Sequence, residues 1–217
     1  MPKYRLDLSY LGSGFHGLAR QPGQRTVQGA VEESLSRIVS EEVRTVAAGR
    51  TDAGVHARQQ VLSFGLERVL DEARVLRSLA KTLAPEIAPF SLVEVGEDFD
   101  ARRSARFRVY RYRILNREVG DPFRHATVWH VGEDLDLAAM DAGASALVGE
   151  HDFAAFCRAT SAGGTVRRVI SASWAQSEVD LVEFEVVANA FCHQMVRSVV
   201  GLSVSIGRGH RRPEEMA

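Results

Sequence analysis

The feature that most constrains the fold is the spacing of apolar residues in the first half of the chain. Segments with the alternating spacing of a strand and segments with the spacing of a helix follow one another in a particular order. Apolar and polar side chains alternate over residues 4–10, which is typical of a strand with one buried face. Apolar side chains then recur at helical spacing over residues 27–38, behind Thr26 as a candidate N-cap. The same criteria predict a strand, a second strand, a helix and a third strand at residues 43–48, 59–64, 73–83 and 90–95. The first half therefore has the order β-α-β-β-α-β.

The second half also contains predicted strands and helices, in a less regular order. It contains predicted strands at residues 106–116, 128–131, 168–176 and 181–188, and predicted helices at residues 137–148 and through Met195 and Val199. The order β-α-β-β-α-β is that of the ferredoxin-like split unit, an antiparallel sheet with helices on one face. We therefore predict an α+β protein in which two ferredoxin-like halves, residues 1–100 and 101–217, share one mainly antiparallel sheet with helices on one face.

Composition and cysteine content narrow the class of protein. Hydrophobic residues make up 45% and charged residues 25% of the 217 residues, which is enough apolar surface for a folded core. The two cysteines, Cys157 and Cys192, are too few for a disulfide framework, and no metal-binding spacing such as CxxC or HExxH occurs. We expect both to be buried free thiols in a reducing compartment. Without a signal peptide or an apolar run of membrane-spanning length, a soluble cytoplasmic protein is expected.

The distribution of positive charge points to nucleic acid although the net charge is only -1. Of the 27 basic residues, all but Lys3 and Lys81 are arginine, whose planar guanidinium suits phosphates and base edges. Between Arg102 and Arg124 eight arginines face only two acids, a local excess of +6. We call this segment the arginine stripe. It is typical of a nucleic-acid surface, and the alternative is a solvated arginine-rich face.

A glycine-rich segment at residues 12–17 matches the dinucleotide-binding pattern G-x-G-x-x-G. A dinucleotide fold requires this turn to open directly into a helix whose N-terminus receives the pyrophosphate. Here Pro22 interrupts the chain, and helical spacing begins only at Val27. The sequence therefore favours a glycine-rich turn near a substrate. It disfavours the hypothesis that the protein is a nucleotide-dependent oxidoreductase.

The most informative segment is the loop at residues 49–57, predicted to connect two strands. It places Arg50, Asp52 and His56 within seven positions among glycines, a composition that presents charge and packs poorly. The alternative is that Asp52 is an ordinary turn or cap residue.

Tyr110 marks a change of phase in the predicted strand at residues 106–116. Apolar residues occupy odd positions at Phe107 and Val109 and even positions from Tyr110 onward. This change predicts a bulge, or a strand face with a task besides packing, and an aromatic ring among arginines suits base stacking. The alternative is an ordinary core tyrosine.

The last predicted helix carries one cation on an otherwise apolar element. His193 and Arg197 are four positions apart, so we predict that they share the helix face opposite the apolar stripe. Arg197 would then be partly buried, and a partly buried arginine needs a carboxylate or phosphate partner. A structural salt bridge would satisfy it equally well.

Five motifs in order along nearly the whole chain resemble the TruA family of tRNA pseudouridine synthases. They are Gly49-Arg50-Thr51-Asp52-Ala53-Gly54-Val55-His56-Ala57, Phe99-Asp100-Ala101-Arg102, Tyr110-Arg111-Tyr112, Gly149-Glu150-His151-Asp152-Phe153, and Asn189-Ala190-Phe191 with His193, Met195-Val196-Arg197 and Gly201. The resemblance implies isomerisation of uridine to pseudouridine in the anticodon stem-loop of tRNA, without cofactor or metal, by a homodimer with a positively charged cleft. It also implies that residues 1–100 carry the catalytic loop and that residues 101–217 complete the RNA-binding cleft.

The resemblance assigns a role to individual side chains. Asp52 is similar to the family's catalytic aspartate, acting as nucleophile or base, and Arg197 to the arginine that pairs with it. The residues implied in substrate binding are Tyr110 beside the target base, Arg50, Arg197, His56 and His193. Leu18 stands where the family usually has tryptophan.

The main alternative is a non-catalytic RNA-binding module on a ferredoxin-like sheet. Such a module explains the arginine stripe and Tyr110. It does not explain why Arg50 and Asp52 lie together, since a carboxylate at a phosphate-binding surface lowers affinity.

Overall fold

The structure, a computed structural model, describes residues 1–158 and 164–216. The chain divides into two units, Met1–Arg106 and Phe107–Ala217, each with its own hydrophobic core. No helix in the described residues is both long enough and apolar enough to cross a membrane.

The first unit is a complete ferredoxin-like split unit. Its elements are β1 (Lys3–Tyr10), α1 (Val27–Val39), β2 (Val46–Ala47), β3 (Ala57–Gly65), α2 (Glu72–Leu83), β4 (Ile87–Val95) and the short α3 (Ala101–Ser104). The strands form a sheet of order β2-β3-β1-β4 in which every pair is antiparallel. The predicted α+β class and β-α-β-β-α-β order are therefore confirmed, with α3 as an addition.

Local sequence explains where the elements of the first unit begin and which face they bury. The Thr26 hydroxyl accepts a hydrogen bond from the Gly29 N–H at 3.2 Å and so caps α1, as predicted. Asp71 caps α2 in the same way through the Arg74 N–H at 3.0 Å. Alternate residues of β1 enter the core beneath the helices: Tyr4, Leu6, Leu8 and Tyr10.

The second unit is also built from a sheet and helices. Its elements are β5 (Arg108–Asn116), β6 (Trp129–Val131), α4 (Leu137–Ser145), β7 (Gly149–Asp152), β8 (Val166–Glu178), β9 (Leu181–Ala188) and α5 (Met195–Gly207). Of these, β6 and β7 are strands that the first unit's arrangement lacks. The sheet order is β6-β5-β9-β8-β7, and only β5 and β6 pair in parallel. The succession β5-α4-β8-β9-α5, with β9 between β5 and β8, follows the first five elements of the split unit.

The described strands form two hydrogen-bonded sheets, of four and five strands, and not the single continuous sheet that we predicted. Each ladder joins strands of one unit. The physical reason for the error is that periodicity predicts which face of a strand is buried but not which neighbour its edge bonds to.

The two cysteines correct a second prediction. Cys157 and Cys192 form a disulfide, with their Cα atoms 5.6 Å apart, so they are not free thiols. Both are half-buried at the margin of the second unit's core. The pair escaped prediction because 35 positions separate the two residues, and only the fold brings them together.

Candidate active site

The loop at residues 48–56 connects β2 to β3 in the first unit and carries three of the six predicted site residues. We call it the 48–56 loop. It begins where the Ala48 N–H donates to the Val61 carbonyl at 2.9 Å, and it ends at Ala57, which pairs with Tyr10 at the end of β1. The loop therefore lies at the end of the sheet where β1 terminates.

Thr51, the residue before Asp52, is held through two of its atoms. Its carbonyl accepts a hydrogen bond from the Leu18 N–H at 3.1 Å. Its Oγ1 lies 2.8 Å from the hydroxyl of Tyr10, at hydrogen-bond distance. The peptide that leads into Asp52 is thus fixed from the backbone side and from the side-chain side.

Asp52 itself opens a tight turn. The Val55 N–H donates to the Asp52 carbonyl at 3.2 Å, and Gly54 has a φ of +79°, the value expected at the third position of a type II turn. The Asp52 side chain is half-buried. The geometry therefore accounts for Asp52 as a turn residue, and the turn fixes the backbone on its C-terminal side.

The glycine-rich segment at residues 12–17 packs against the 48–56 loop. A Cβ on Gly12 would overlap the Val55 carbonyl, and a Cβ on Gly17 would lie 2.9 Å from the Thr51 carbonyl oxygen. The segment opens into a short 3-10 turn, Gly12–Gly14, and the next α-helix begins only at Val27. This is the arrangement that argues against a dinucleotide site, because a dinucleotide fold needs a helix directly after the glycines.

Arg50 and His56 complete the predicted part of the loop. Arg50 is exposed and His56 is half-buried. The Gly12 N–H donates to His56 Nδ1 at 3.0 Å, so in a neutral imidazole the proton resides on Nε2. The bond ties the end of the loop to the glycine-rich segment.

Tyr110 lies in the second unit on β5, opposite Val186 of β9. Its half-buried ring packs edge-on against Phe191, with ring centroids 4.8 Å apart and planes at 75°. The register between β5 and β9 is unbroken over the whole ladder, so the predicted bulge at Tyr110 is wrong. The change of phase arises because Phe107 and Val109, at 56% and 48% exposure, are apolar residues that lie outside the core.

His193 and Arg197 do not share a helix face. The helix α5 begins at Met195, and Gln194 before it has a φ of +63°, so His193 precedes the helix. His193 is exposed, and its carbonyl accepts a hydrogen bond from the Arg158 N–H at 3.0 Å. Sequence periodicity failed here because the left-handed residue that starts the helix is a glutamine, which has no special preference for that conformation.

Arg197 is exposed and not partly buried as we predicted, because its position on α5 faces away from the core. Burial raises the pKa of Tyr112 on β5, and the positive charge of Arg197 opposes that shift. Arg197 is therefore close enough to Tyr112 for its charge to act on that tyrosine.

The six predicted residues thus fall into two groups of three. Arg50, Asp52 and His56 share the 48–56 loop of the first unit. The second unit holds the others, with Tyr110 on β5, His193 before α5 and Arg197 within it.

The arginine stripe is less positive in the folded chain than in the sequence. Within the described residues, at least four of its eight arginines form ion pairs with acids of the second unit: Arg111 with Glu185, Arg113 with Glu183, Arg117 with Asp180, and Arg124 with Glu178. All four acids lie in or between β8 and β9. The local excess of +6 is therefore reduced by charges that are distant in the sequence.

Sequence reasoning assigned no supporting role to the residues that hold the 48–56 loop. Tyr10 is buried at 4% exposure, and Leu18, at the family's tryptophan position, is completely buried. Gln60 is also buried, and its side-chain amide donates to the Gly49 carbonyl at 3.0 Å. The sequence feature that could have identified Tyr10 is its position at the end of the alternating strand. No sequence feature distinguished Gln60.

The described part of the chain contains no candidate metal centre. In residues 1–158 and 164–216, no three side chains of histidine, cysteine, aspartate or glutamate converge in a way that could hold a metal ion.

Comparison with known proteins identifies the family. A family model described as tRNA pseudouridine synthase matches residues 8–102 and 144–217, which include the 48–56 loop and α5. Relatives named tRNA pseudouridine synthase A include one from Myxococcus xanthus, 40% identical over 215 residues that cover 97% of this chain and 80% of the relative. One from Methylobacterium nodulans is 42% identical over 210 residues, covering 96% and 83%, and one from Moorella thermoacetica is 41% identical over 216 residues, covering 99% and 88%.

These matches confirm the resemblance that the five motifs predicted. The family model covers well over half of the chain, and the relatives align with nearly all of it. The chain therefore belongs to the tRNA pseudouridine synthase family, a family of isomerases.

Proposed function

We propose that this chain converts uridine to pseudouridine in the anticodon stem-loop of tRNA, and that Asp52 supplies the carboxylate that acts on the target nucleotide. The observation that carries the proposal is the anchored 48–56 loop. Its backbone is fixed before Asp52 at Thr51 and after it at Val55, and it presents an exposed arginine, Arg50, two positions away. A carboxylate carried on a fixed backbone near an arginine suits a site that holds a phosphate and reacts at the neighbouring sugar and base.

The reaction is balanced within one nucleotide. The bond between N1 and C1′ breaks, a bond between C5 and C1′ forms, C5 loses a proton, and N1 gains one. Nothing is oxidised or reduced, so the reaction consumes no oxidant or reductant. Breaking the bond between N1 and C1′ needs a charged group that acts as nucleophile or base, and the site must retain the detached uracil. Asp52 supplies the charged group, either by attacking the sugar or the ring or by removing a proton from the sugar.

The target uridine must leave its stack before Asp52 can reach the glycosidic bond. Tyr110 is assigned to the extruded base, since its ring is half-buried and held edge-on by Phe191. Arg50, His56 and His193 are assigned to RNA contacts, and Arg197 to the substrate. These assignments rest on the motif positions and on the exposure or partial exposure of each side chain.

The proposal also divides the work between the two halves of a homodimeric enzyme. It places the enzyme in the cytoplasm on the ground of the tRNA substrate, since the Cys157–Cys192 disulfide removes the argument from free thiols. Residues 1–100 carry the catalytic loop, and residues 101–217 complete the RNA-binding surface. A second copy of the chain would cover apolar side chains of the second unit that the monomer leaves in solvent, notably Phe123 at 97% and Val119 at 72% exposure.

The test is to incubate the purified chain with an unmodified tRNA transcript, without added cofactor, and to map pseudouridine along the RNA. We expect pseudouridine in the anticodon arm and none in a matched transcript whose anticodon-arm uridines are replaced by cytidine. Tight binding without any pseudouridine would support the non-catalytic RNA-binding module, and modification confined to another arm would contradict the assigned substrate region.

A further inference from the structure

Tyr10 combines deep burial with a polar contact to the loop that carries Asp52. It is the last residue of β1 and is 4% exposed, with its ring in the core of the first unit. Its hydroxyl lies 2.8 Å from Thr51 Oγ1. A phenylalanine would fill the same core position without a buried polar atom to satisfy, so the hydroxyl is the feature that needs an explanation.

The hydroxyl stays protonated and remains available as a hydrogen-bond donor at physiological pH. Burial raises the pKa of Tyr10, and hydrogen bonds with Thr51 and Gln60 oppose that shift without cancelling it. The neutral phenol can donate one hydrogen bond and accept another. Tyr10 therefore bridges Thr51 in the loop and Gln60 in β3.

Gln60 extends the same network to the start of the loop. Its amide nitrogen donates to the Gly49 carbonyl at 3.0 Å, and its amide oxygen accepts from the Val61 N–H at 3.1 Å. Tyr10 and Gln60 together thus hold residues on both sides of Arg50. Tyr10 and Gln60 are buried and Gly49 and Thr51 are half-buried, and the hydrogen bonds of buried polar groups are costly to break.

We propose that Tyr10 is a positioning residue for the reaction, holding the Thr51 side chain so that Asp52 keeps its catalytic placement. The inference rests on the proposed role of Asp52. The backbone bond from Leu18 holds only the Thr51 carbonyl, so without the Tyr10 hydroxyl the Thr51 side chain loses its anchor. A small displacement of a reacting group is enough to slow catalysis strongly.

The chain offers a closely matched control for Tyr10 in Tyr4. Tyr4 lies on the same strand, is completely buried, and its hydroxyl accepts a hydrogen bond from the Leu70 N–H at 2.9 Å. Tyr4→Phe and Tyr10→Phe therefore each remove one buried, hydrogen-bonded hydroxyl from β1. Only Tyr10→Phe removes a contact with the 48–56 loop.

The experiment compares kcat, KM, tRNA affinity and melting temperature for these two variants and the wild type. We expect Tyr10→Phe to lower kcat by roughly 10- to 100-fold, with KM and the Kd for tRNA within about twofold of wild type. Tyr4→Phe should lower the melting temperature by a similar amount and leave kcat unchanged. Equal kcat values for the two variants, or a loss in Tyr10→Phe that appears in KM alone, would overturn the proposal.

A second pair of variants tests the route through Thr51. Thr51→Ser keeps the hydroxyl and should retain at least about five times the kcat of Thr51→Val, because only the valine variant lacks the hydroxyl that pairs with Tyr10. Adding Tyr10→Phe to Thr51→Val should then cost little further. Additive losses would overturn the proposal. Asp52→Asn, measured in the same experiment, separates the role of Asp52 from the role of Tyr10. If Asp52→Asn retained activity, the proposed role of Asp52 would be contradicted, whatever the activities of the tyrosine variants.

Discussion

The backbone of Gly12 lies directly against the carbonyl of Val55, so closely that a Cβ at position 12 would overlap the oxygen. The Gly12 N–H also donates to His56 Nδ1 at 3.0 Å. One glycine therefore touches the last two residues of the loop that follows Asp52. The glycine-rich segment supports the proposed site through close backbone packing.

Gly12→Ala tests this packing. Because the added methyl must displace backbone and cannot simply push a flexible side chain aside, we expect a destabilisation of about 1–3 kcal/mol. Activity should fall further than the loss of folded protein accounts for, since the displaced backbone closes the turn that Asp52 opens. Thermal melts and single-turnover rates at a temperature where the variant is folded provide the measurement.

The control for Gly12→Ala is Gly96→Ala. A Cβ added at Gly96 would meet open space, with no atom beyond its chain neighbours within 4 Å. This variant should therefore change stability by less than about 0.5 kcal/mol and leave activity intact. Equal behaviour of the two variants would contradict the packing account.

Arg197→Ala is expected to impair catalysis more than RNA binding. The proposed role of Arg197 rests on its motif position: a cation that acts on the reacting nucleotide stabilises charge that develops during the reaction, so its loss slows the chemical step. We expect the single-turnover rate to fall by roughly 100-fold and the Kd for tRNA to change by less than about threefold.

Arg212→Ala is the matched control for Arg197, because it removes the same charge from a residue with an 82% exposed side chain in the same unit. Its rate and affinity should stay near those of the wild type. Parallel losses of rate and binding in Arg197→Ala would identify Arg197 as a phosphate contact.

Salt dependence should distinguish arginines that contact RNA from those that are already paired within the protein. If roughly five phosphates are neutralised, the logarithm of the binding constant falls with the logarithm of salt concentration at a slope of about -4. Arg50→Gln should reduce the magnitude of this slope by about one phosphate contact. Arg113→Gln should not, because Glu183 holds the Arg113 guanidinium at 2.9 Å. Identical slopes for the two variants would contradict the assignment of Arg50.

Removing the Cys157–Cys192 disulfide should destabilise the chain. The bond closes a loop across 35 positions, for which the chain-entropy account gives about 3–4 kcal/mol. A variant carrying Cys157→Ser and Cys192→Ser should show this loss in urea unfolding, and reductant should lower the stability of the wild type but not of the variant. Insensitivity of the wild type to reductant would show that the bond contributes nothing in solution.

Most of the fold was predictable because its elements have strong periodicity. The alternation in β1 and the capped, helically spaced segment of α1 both lie where the sequence predicts them. By contrast, β7 has the sequence Gly-Glu-His-Asp, without an apolar face, and exists because its backbone pairs with β8. So polar a segment is typical of a loop, and its strand conformation depends on a partner that the local sequence does not specify.

The candidate site was predictable where its residues are close in the sequence, as in the 48–56 loop. Its supports were not, because they come from distant segments. Tyr10 and Thr51, for example, are 41 positions apart. The ion pairs of the arginine stripe were unpredictable for the same reason, since Arg113 meets Glu183 across 70 positions through the register of β5 and β9. Hydrophobic period gives no information about such pairings, which depend on strand order.

The central claim is that the carboxylate of Asp52 is required for the isomerisation, and Asp52→Asn tests it most directly. The substitution keeps the shape of the side chain and removes its charge and nucleophilicity. Asp98→Asn, in an exposed position, removes the same charge elsewhere in the first unit. The measurement is the single-turnover rate of pseudouridine formation on a tRNA with uridine in the anticodon arm. This rate should fall by orders of magnitude for Asp52→Asn and stay at the wild-type value for Asp98→Asn. Asp52→Asn should bind tRNA as tightly as the wild type or more tightly. A wild-type rate in the folded Asp52→Asn protein would contradict the account.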